Sequence, residues 1–268
     1  MRAIFILVVA LAANAQDNKE AGLGGELAKN IRERTTAIEN PILQNYVERI
    51  GTKLALEIPN RNFSYNFALI ADDLGGETHE PLSLPGGFIF ISTALMRTAT
   101  REAEFAGMLA HAMVHPTLVP IRREGSKMPL VFIGGWNGFG PTEPGPVMPV
   151  SLFKRQQENE LQADTLAVPI MSAAGYDPGA LASYIARVPE KQVRGATSQQ
   201  FATLPDRDTR VTAIQQEIQN LPTRSYPTID PDEFARIQTQ VPEPAQVRVP
   251  TLRPIGPNVP RPTLRRQN

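Results

Sequence analysis

Two histidines one helical turn apart place the tightest constraint on this chain. In Leu109-Ala110-His111-Ala112-Met113-Val114-His115 a helix stacks both rings on one face, so their nitrogens can converge on a single metal ion. In the H-E-x-x-H pattern the residue after the first histidine is a glutamate, which takes a proton from metal-bound water. Here that residue is Ala112, and a methyl group accepts no proton. The segment offers a metal site and withholds the base.

A second pair repeats the spacing. Glu160 and Asp164 also stand four apart, in a run that reads as a helix, so both carboxylates face one way. One can ligate the metal, and the other can accept a hydrogen bond from the far nitrogen of a ligand histidine. The third histidine, His79, sits alone in a polar loop.

A chain of 268 residues, 41 % of them hydrophobic, can bury a full core in one or two domains. Formal net charge is zero, which argues against nucleic acid as a partner. The absence of cysteine excludes disulfides, a thiolate metal site, a cysteine nucleophile and a cysteine-linked lipid anchor. Arg2, an apolar run from Ala3 to Ala13, and Ala13-Asn14-Ala15 before polar residues describe a secretory signal peptide cleaved after Ala15. That run is shorter than the ~20 residues needed to span a bilayer. The expected division is therefore a signal peptide at 1–15, one domain at 16–240 and a tail at 241–268. The mature chain is expected in a periplasm or outside the cell, with no transmembrane segment.

The pattern is helical from Glu20 to about Arg34. Asn40-Pro41 then reads as an N-cap and first-turn proline, opening a helix with an apolar stripe through Leu43, Tyr46, Val47, Ile50 and Leu54. Phe63, Tyr65, Phe67 and Leu69 alternate as a half-buried strand. Leu84-Pro85-Gly86-Gly87 turns into the apolar strand Phe88-Ile89-Phe90-Ile91-Ser92. Thr100, Glu102 and Glu104 open the His111 helix with a hydroxyl cap and acids at the positive end of its dipole. Glycine and proline dominate from Pro129 to Pro149, as an apolar cover over a cleft or a loop packed in the core. The Glu160 helix, kinked at Pro169, stops at Gly175, and helices follow near 179–187 and 208–220. Beyond Pro242 the chain is rich in proline and arginine, has no carboxylate after Glu243, and reads as disordered.

The ordered motifs L-P-G-G plus strand, the two-histidine helix, G-G-W, E-x-x-A-D and A-G-Y-D-P resemble a known family over roughly Leu23 to Asn220. It is the soluble periplasmic branch of the zinc metallopeptidases related to HtpX, BepA and the CAAX prenyl endopeptidases. The resemblance implies an α+β fold, mostly helical, with a small sheet whose edge strand borders the zinc cleft and holds an extended peptide. It implies that His111, His115 and Glu160 ligate Zn2+, with Asp164 supporting a ligand histidine. Phe88, Ile89, Phe90, Ile91 and Ser92 then match the substrate-binding edge strand, and Arg210 matches the arginine of a downstream H-P-x-x-x-x-R pattern.

Three departures set this chain apart. Ala112 replaces the base, Leu204 replaces the histidine of the downstream pattern, and Pro116 follows the second ligand histidine. A proline there removes an amide bond to Ala112 and disfavours helical geometry at His115. The resemblance thus implies a protein that binds zinc and unfolded or extended peptide segments, acting on envelope proteins in quality control, with proteolysis lost or weak. The alternatives are an active endopeptidase using another base, such as Glu104 or a residue of the apolar cover, or a structural domain without metal. Glu104, two turns before His111, is expected to lie too far from the zinc.

Overall fold

The computed structural model describes residues 21–59, 63–71, 80–118, 130–132, 147–149, 159–188, 205–227 and 231–243. Residues 1–20, where a signal peptide is expected, His79, most of the glycine-rich stretch, Leu204 and the chain beyond 243 lie outside the described residues. Helix α1 covers 21–34, followed by α2 (Pro41–Leu56), β1 (Asn66–Ile70), β2 (Leu82–Leu84), β3 (Phe88–Ser92), α3 (Thr93–Thr98) and α4 (Glu102–Leu118). Strands β4 (Leu130–Phe132) and β5 (Val147–Pro149) pair with each other. Then come α5 (Glu160–Ala173), α6 (Gly179–Arg187), α7 (Arg207–Asn220) and α8 (Pro231–Gln238). The fold is α+β, mostly helical with a small mixed sheet. Among the described residues no helix is long and apolar enough to cross a membrane.

Local signals account for several boundaries. The Asn40 side chain accepts from the amides of Ile42 at 2.9 Å and Leu43 at 3.3 Å, satisfying donors that the first turn leaves unpaired. Gly86 and Gly87 take φ of +75° and +83° in the turn between β2 and β3, a conformation that side chains with a Cβ rarely adopt. Gly175, at φ +81°, ends α5 where the sequence places its stop.

The sheet corrects one expectation. Its strand order is β1-β3-β2, so Phe88–Ser92 is the central strand and not an edge. β1 pairs with it in parallel, Asn66 opposite Phe88 through Ile70 opposite Ser92. β2 pairs antiparallel, Leu82 opposite Phe90 and Leu84 opposite Phe88. Over Phe88–Phe90 both hydrogen-bonding edges of β3 are thereby taken up, leaving none there for an added peptide. Its two faces are covered as well: Ile89 and Ile91 enter the main core, while Phe90 packs with Leu27, Ala28 and Ile31 of α1. An uninterrupted apolar run suits a strand buried on both faces. Outside β1, Ala37 bridges to Ile70, and the Ile38 amide donates to the Leu69 carbonyl at 2.9 Å. Among the described residues β2 has no strand on its outer side.

Helix α4 runs through the middle of the molecule, buried from Glu102 to Val114. Helices α2, α5 and α6 pack around it, which explains why it is apolar on nearly every side. Gly107 lets α5 and α6 approach: a Cβ there would come within 3.0 Å of the Leu181 Cβ and 3.1 Å of the Met171 Cε. Its buried acids have partners. Glu102 accepts from the hydroxyls of Tyr46 at 2.7 Å and Tyr176 at 3.0 Å. Glu104 accepts from the Thr100 amide at 2.7 Å and from Arg187 at 2.5 Å.

Pro116 does not end α4, which continues to Leu118. Only the bond to Ala112 is forfeited, close to the helix end, and the Thr117 hydroxyl donates to the Val114 carbonyl at 2.7 Å in that last turn. Helical geometry persists at His115.

Candidate metal centre

Three helices bring the polar residues together inside an otherwise apolar core. α4 presents His111 and His115 one turn apart, and the Tyr65 hydroxyl pins the turn between them by donating to the Met113 carbonyl at 2.5 Å. α5 begins at Glu160 and carries Asp164 one turn on. α7, capped by the Asp206 side chain on the Thr209 amide at 2.9 Å, delivers Arg210 in its first turn.

The atoms converge closely. Nε2 of His111 lies 3.1 Å from Nε2 of His115 and 3.2 Å from Oε2 of Glu160. Nε2 of His115 lies 3.4 Å from Oε1 of Glu160. Ligands at the ~2.0–2.2 Å bond lengths of tetrahedral zinc stand about 3.3–3.6 Å from one another, so these separations fit an ion held between them. The Glu160 Oε2 is buried and makes no hydrogen bond, with Nε2 of His111 at 3.2 Å and Nη2 of Arg210 at 3.6 Å as its charged neighbours, an oxygen free to ligate an ion. Two imidazoles and a carboxylate are also the donor types that zinc takes. Among the described residues this is the only group of three or more potential ligands so placed.

Behind the histidine, an Asp164 oxygen stands 2.8 Å from Nδ1 of His111. The approach pairs the carboxylate with the ring by charge, without hydrogen-bond geometry at Nδ1, and leaves Nε2 for the shared centre. Arg210 grips Asp164 with two bonds, Nε to Oδ2 at 2.7 Å and Nη2 to Oδ1 at 2.9 Å. Its Nη1 donates to Glu80 at 2.7 Å. Burial pushes the Asp164 pKa up, but the Arg210 hydrogen bonds and the charge of His111 outweigh it and hold the carboxyl well below the usual range.

The two histidines are driven apart electrostatically. Burial lowers the pKa of His111, yet the charges of Asp164 and Glu160 dominate and push it up to about 10. Burial brings His115 down to about 4, with Glu160 opposing. At neutral pH these opposed shifts give the metal-free site one proton more than two neutral imidazoles carry, which a metal must displace. Metal affinity is expected to tighten about tenfold per pH unit between roughly pH 6 and 8, as one released proton requires. Dissociation constants measured at three pH values check this, and a flat profile would contradict it.

The other site residues read from the sequence divide. Ala112 lies between the histidines on α4, fully buried. Glu104 is occupied by Thr100 and Arg187, a structural role. Phe88 to Ser92 lie in the central strand, and the flanking strand β2 is the one that packs against α4. Glu80 was missed, because one acid in a polar loop carries no periodic signal.

The model of "Peptidase family M48" matches residues 145–218, a span that contains Glu160, Asp164 and Arg210 and begins after the histidine helix. Among curated proteins, the beta-barrel assembly-enhancing protease of Yersinia pestis is 23 % identical over 192 residues, covering 65 % of this chain and 38 % of the relative. The protein of the same name from Escherichia coli (strain K12) is 20 % identical over 186 residues, 63 % of this chain and 37 % of the relative. The chain thus spans under two-fifths of the length of these relatives. It is related to the M48 metallopeptidases.

Proposed function

We propose that this M48 relative holds one zinc ion through His111, His115 and Glu160, and binds extended peptide segments with little or no power to cut them. The observation that carries this reading is the convergence of the three donor side chains, with a buried Glu160 oxygen that makes no hydrogen bond, beside an alanine at the base position. When bound, zinc supplies Lewis acidity to a peptide carbonyl and acidifies water. The chain's own residues account for the remainder: Asp164 pairs with His111 by charge, Arg210 fixes Asp164, and Ala112 leaves no proton acceptor between the ligands.

Among the described residues β2 is the strand of this sheet with no strand on its outer side next to α4, so strand addition falls to its main chain and not to Phe88–Ser92, the side chains of Leu82, Ser83 and Leu84 being themselves buried. Extended segments can add to an exposed strand edge through main-chain hydrogen bonds. β2 packs against α4, and Glu80, two residues before it, reaches Arg210. The name of the relatives, beta-barrel assembly-enhancing protease, connects them with β-barrel assembly, which favours envelope proteins as the source of the peptides. Segment 1–15 fits that destination as a leader removed after Ala15, residues 16–240 form the metallopeptidase-like domain, and 241–268 form a Pro/Arg-rich tail. Mature protein recovered from the periplasm is expected to begin at Gln16, as N-terminal sequencing would determine.

Elemental analysis of the purified protein tests the central claim. The expected result is one zinc per chain, falling to a small fraction in His111→Ala and in Glu160→Gln. Substoichiometric zinc in the unaltered protein after loading would sink it and favour a metal-free domain.

A further inference from the structure

Glu80 belongs to no motif in the sequence, yet it is the third carboxylate of the site. Its Oε1 accepts from Arg210 Nη1 at 2.7 Å, while Nε and Nη2 of the same guanidinium hold Asp164. Nη2 also lies 3.6 Å from Oε2 of Glu160. One arginine thereby ties together three acids from two parts of the chain. The Glu80 side chain is 37 % exposed, whereas those of Arg210, Asp164 and Glu160 are 8 % or less.

The charges of this group bear on what it can hold. With both histidines neutral, three carboxylates against one guanidinium leave two negative charges, the complement of a divalent cation. Without Glu80 a loaded site would carry a net positive charge in a setting where unbalanced charge is costly. A glutamate next to His111 would provide that negative charge from α4, but this chain has Ala112.

We propose that Glu80 compensates in charge, not in place, for the carboxylate missing at Ala112, and acts through Arg210 as a positioning residue for metal retention. This rests on the reading that His111, His115 and Glu160 hold zinc. The geometric path is short. Glu80 fixes Nη1, which leaves Nε and Nη2 facing Asp164, and Asp164 in turn stands against Nδ1 of His111. Residues that support ligands from behind in this way typically change metal affinity by ~10–100-fold when removed.

The test is a double-mutant cycle read as zinc affinity, by competition with a chromophoric chelator. It compares the full chain with Glu80→Gln, Ala112→Glu and the double variant. Glu80→Gln keeps the shape and an acceptor oxygen but removes the charge. It is expected to weaken zinc binding about tenfold where residue 112 is alanine, and less than about threefold where it is glutamate. Glu80→Asp, which keeps the charge, is expected to retain most of the affinity, and it provides a second measurement should Glu80→Gln fold poorly. If the unaltered protein binds zinc and Glu80→Gln matches it within about twofold, the proposal falls while the zinc site stands. Equal weakening in both backgrounds, or equal loss in Glu80→Asp and Glu80→Gln, overturns charge compensation. No zinc binding by the unaltered protein overturns both readings.

Discussion

Replacing Ala112 by glutamate is expected to raise zinc-dependent hydrolysis of an unfolded protein from little or none, by up to ~10²–10⁴-fold. That range is the usual worth of general acid–base catalysis, about 3–5 kcal/mol of barrier. The unaltered residues could hold a metal and orient what it binds, but Ala112 offers no proton acceptor at the base position. Glu104 is occupied by Thr100 and Arg187, and Glu80 by Arg210. Recovery is expected to be partial. Ala112 is fully buried, so a longer, charged side chain must find both space and solvation there. Leu204, in place of the family histidine, would remain. Pro116 is no obstacle, because α4 passes through it with His115 still 3.1 Å from His111. Turnover by paired samples, with and without chelator, measures the effect. Robust chelator-sensitive proteolysis by the unaltered protein would show that another group acts as the base.

The sequence was most legible where one side chain or one helical period decides the outcome. Asn40 before Pro41 marks a helix start because the cap bond is local. The i,i+4 spacings of His111 with His115 and of Glu160 with Asp164 put each pair on one face in any helix. The packing of α4 against α5 then turned those faces toward each other. Strand order was harder to read, since β1 reaches β3 across the intervening β2 and no local rule orders such pairings. One clue was available in Phe88-Ile89-Phe90-Ile91, apolar at every position and so suited to burial on both faces. Glu102 was visible only as a first-turn acid. Its bonds to Tyr46 and Tyr176 join residues 56 and 74 positions away, which no spacing rule predicts. Glu80 escaped notice for the same reason, 130 positions from its arginine.

Truncating Arg210 is expected to cost about 3–5 kcal/mol of folding stability, the effect of stranding one member of a buried ion pair. Asp164 is fully buried, and both of its oxygens face Arg210. In Arg210→Ala the carboxylate would keep the cost of leaving water and lose the two guanidinium bonds that offset most of it, leaving His111 at 2.8 Å as its charged neighbour. Against a typical total stability of ~5–15 kcal/mol, a loss of that size brings the chain close to unfolding. Lysine is expected to rescue little, since a single ammonium cannot supply the two parallel bonds that the guanidinium fork makes. The pH dependence separates this account from lost packing alone. Asp164 has a folded pKa depressed below its ordinary value of 3.8, so the stability it contributes is present above that value and lost as pH falls through the folded one. Removing Arg210 should lift the folded pKa. In Arg210→Ala the stability assigned to Asp164 is then reduced at neutral pH to what His111 still supplies, and the acid-side decline flattens. Urea unfolding of both proteins, metal-free, from pH 7 down to about pH 2 would measure the two slopes. A loss below about 1 kcal/mol at pH 7, or parallel slopes into acid, would mean that solvent or another cation already serves Asp164.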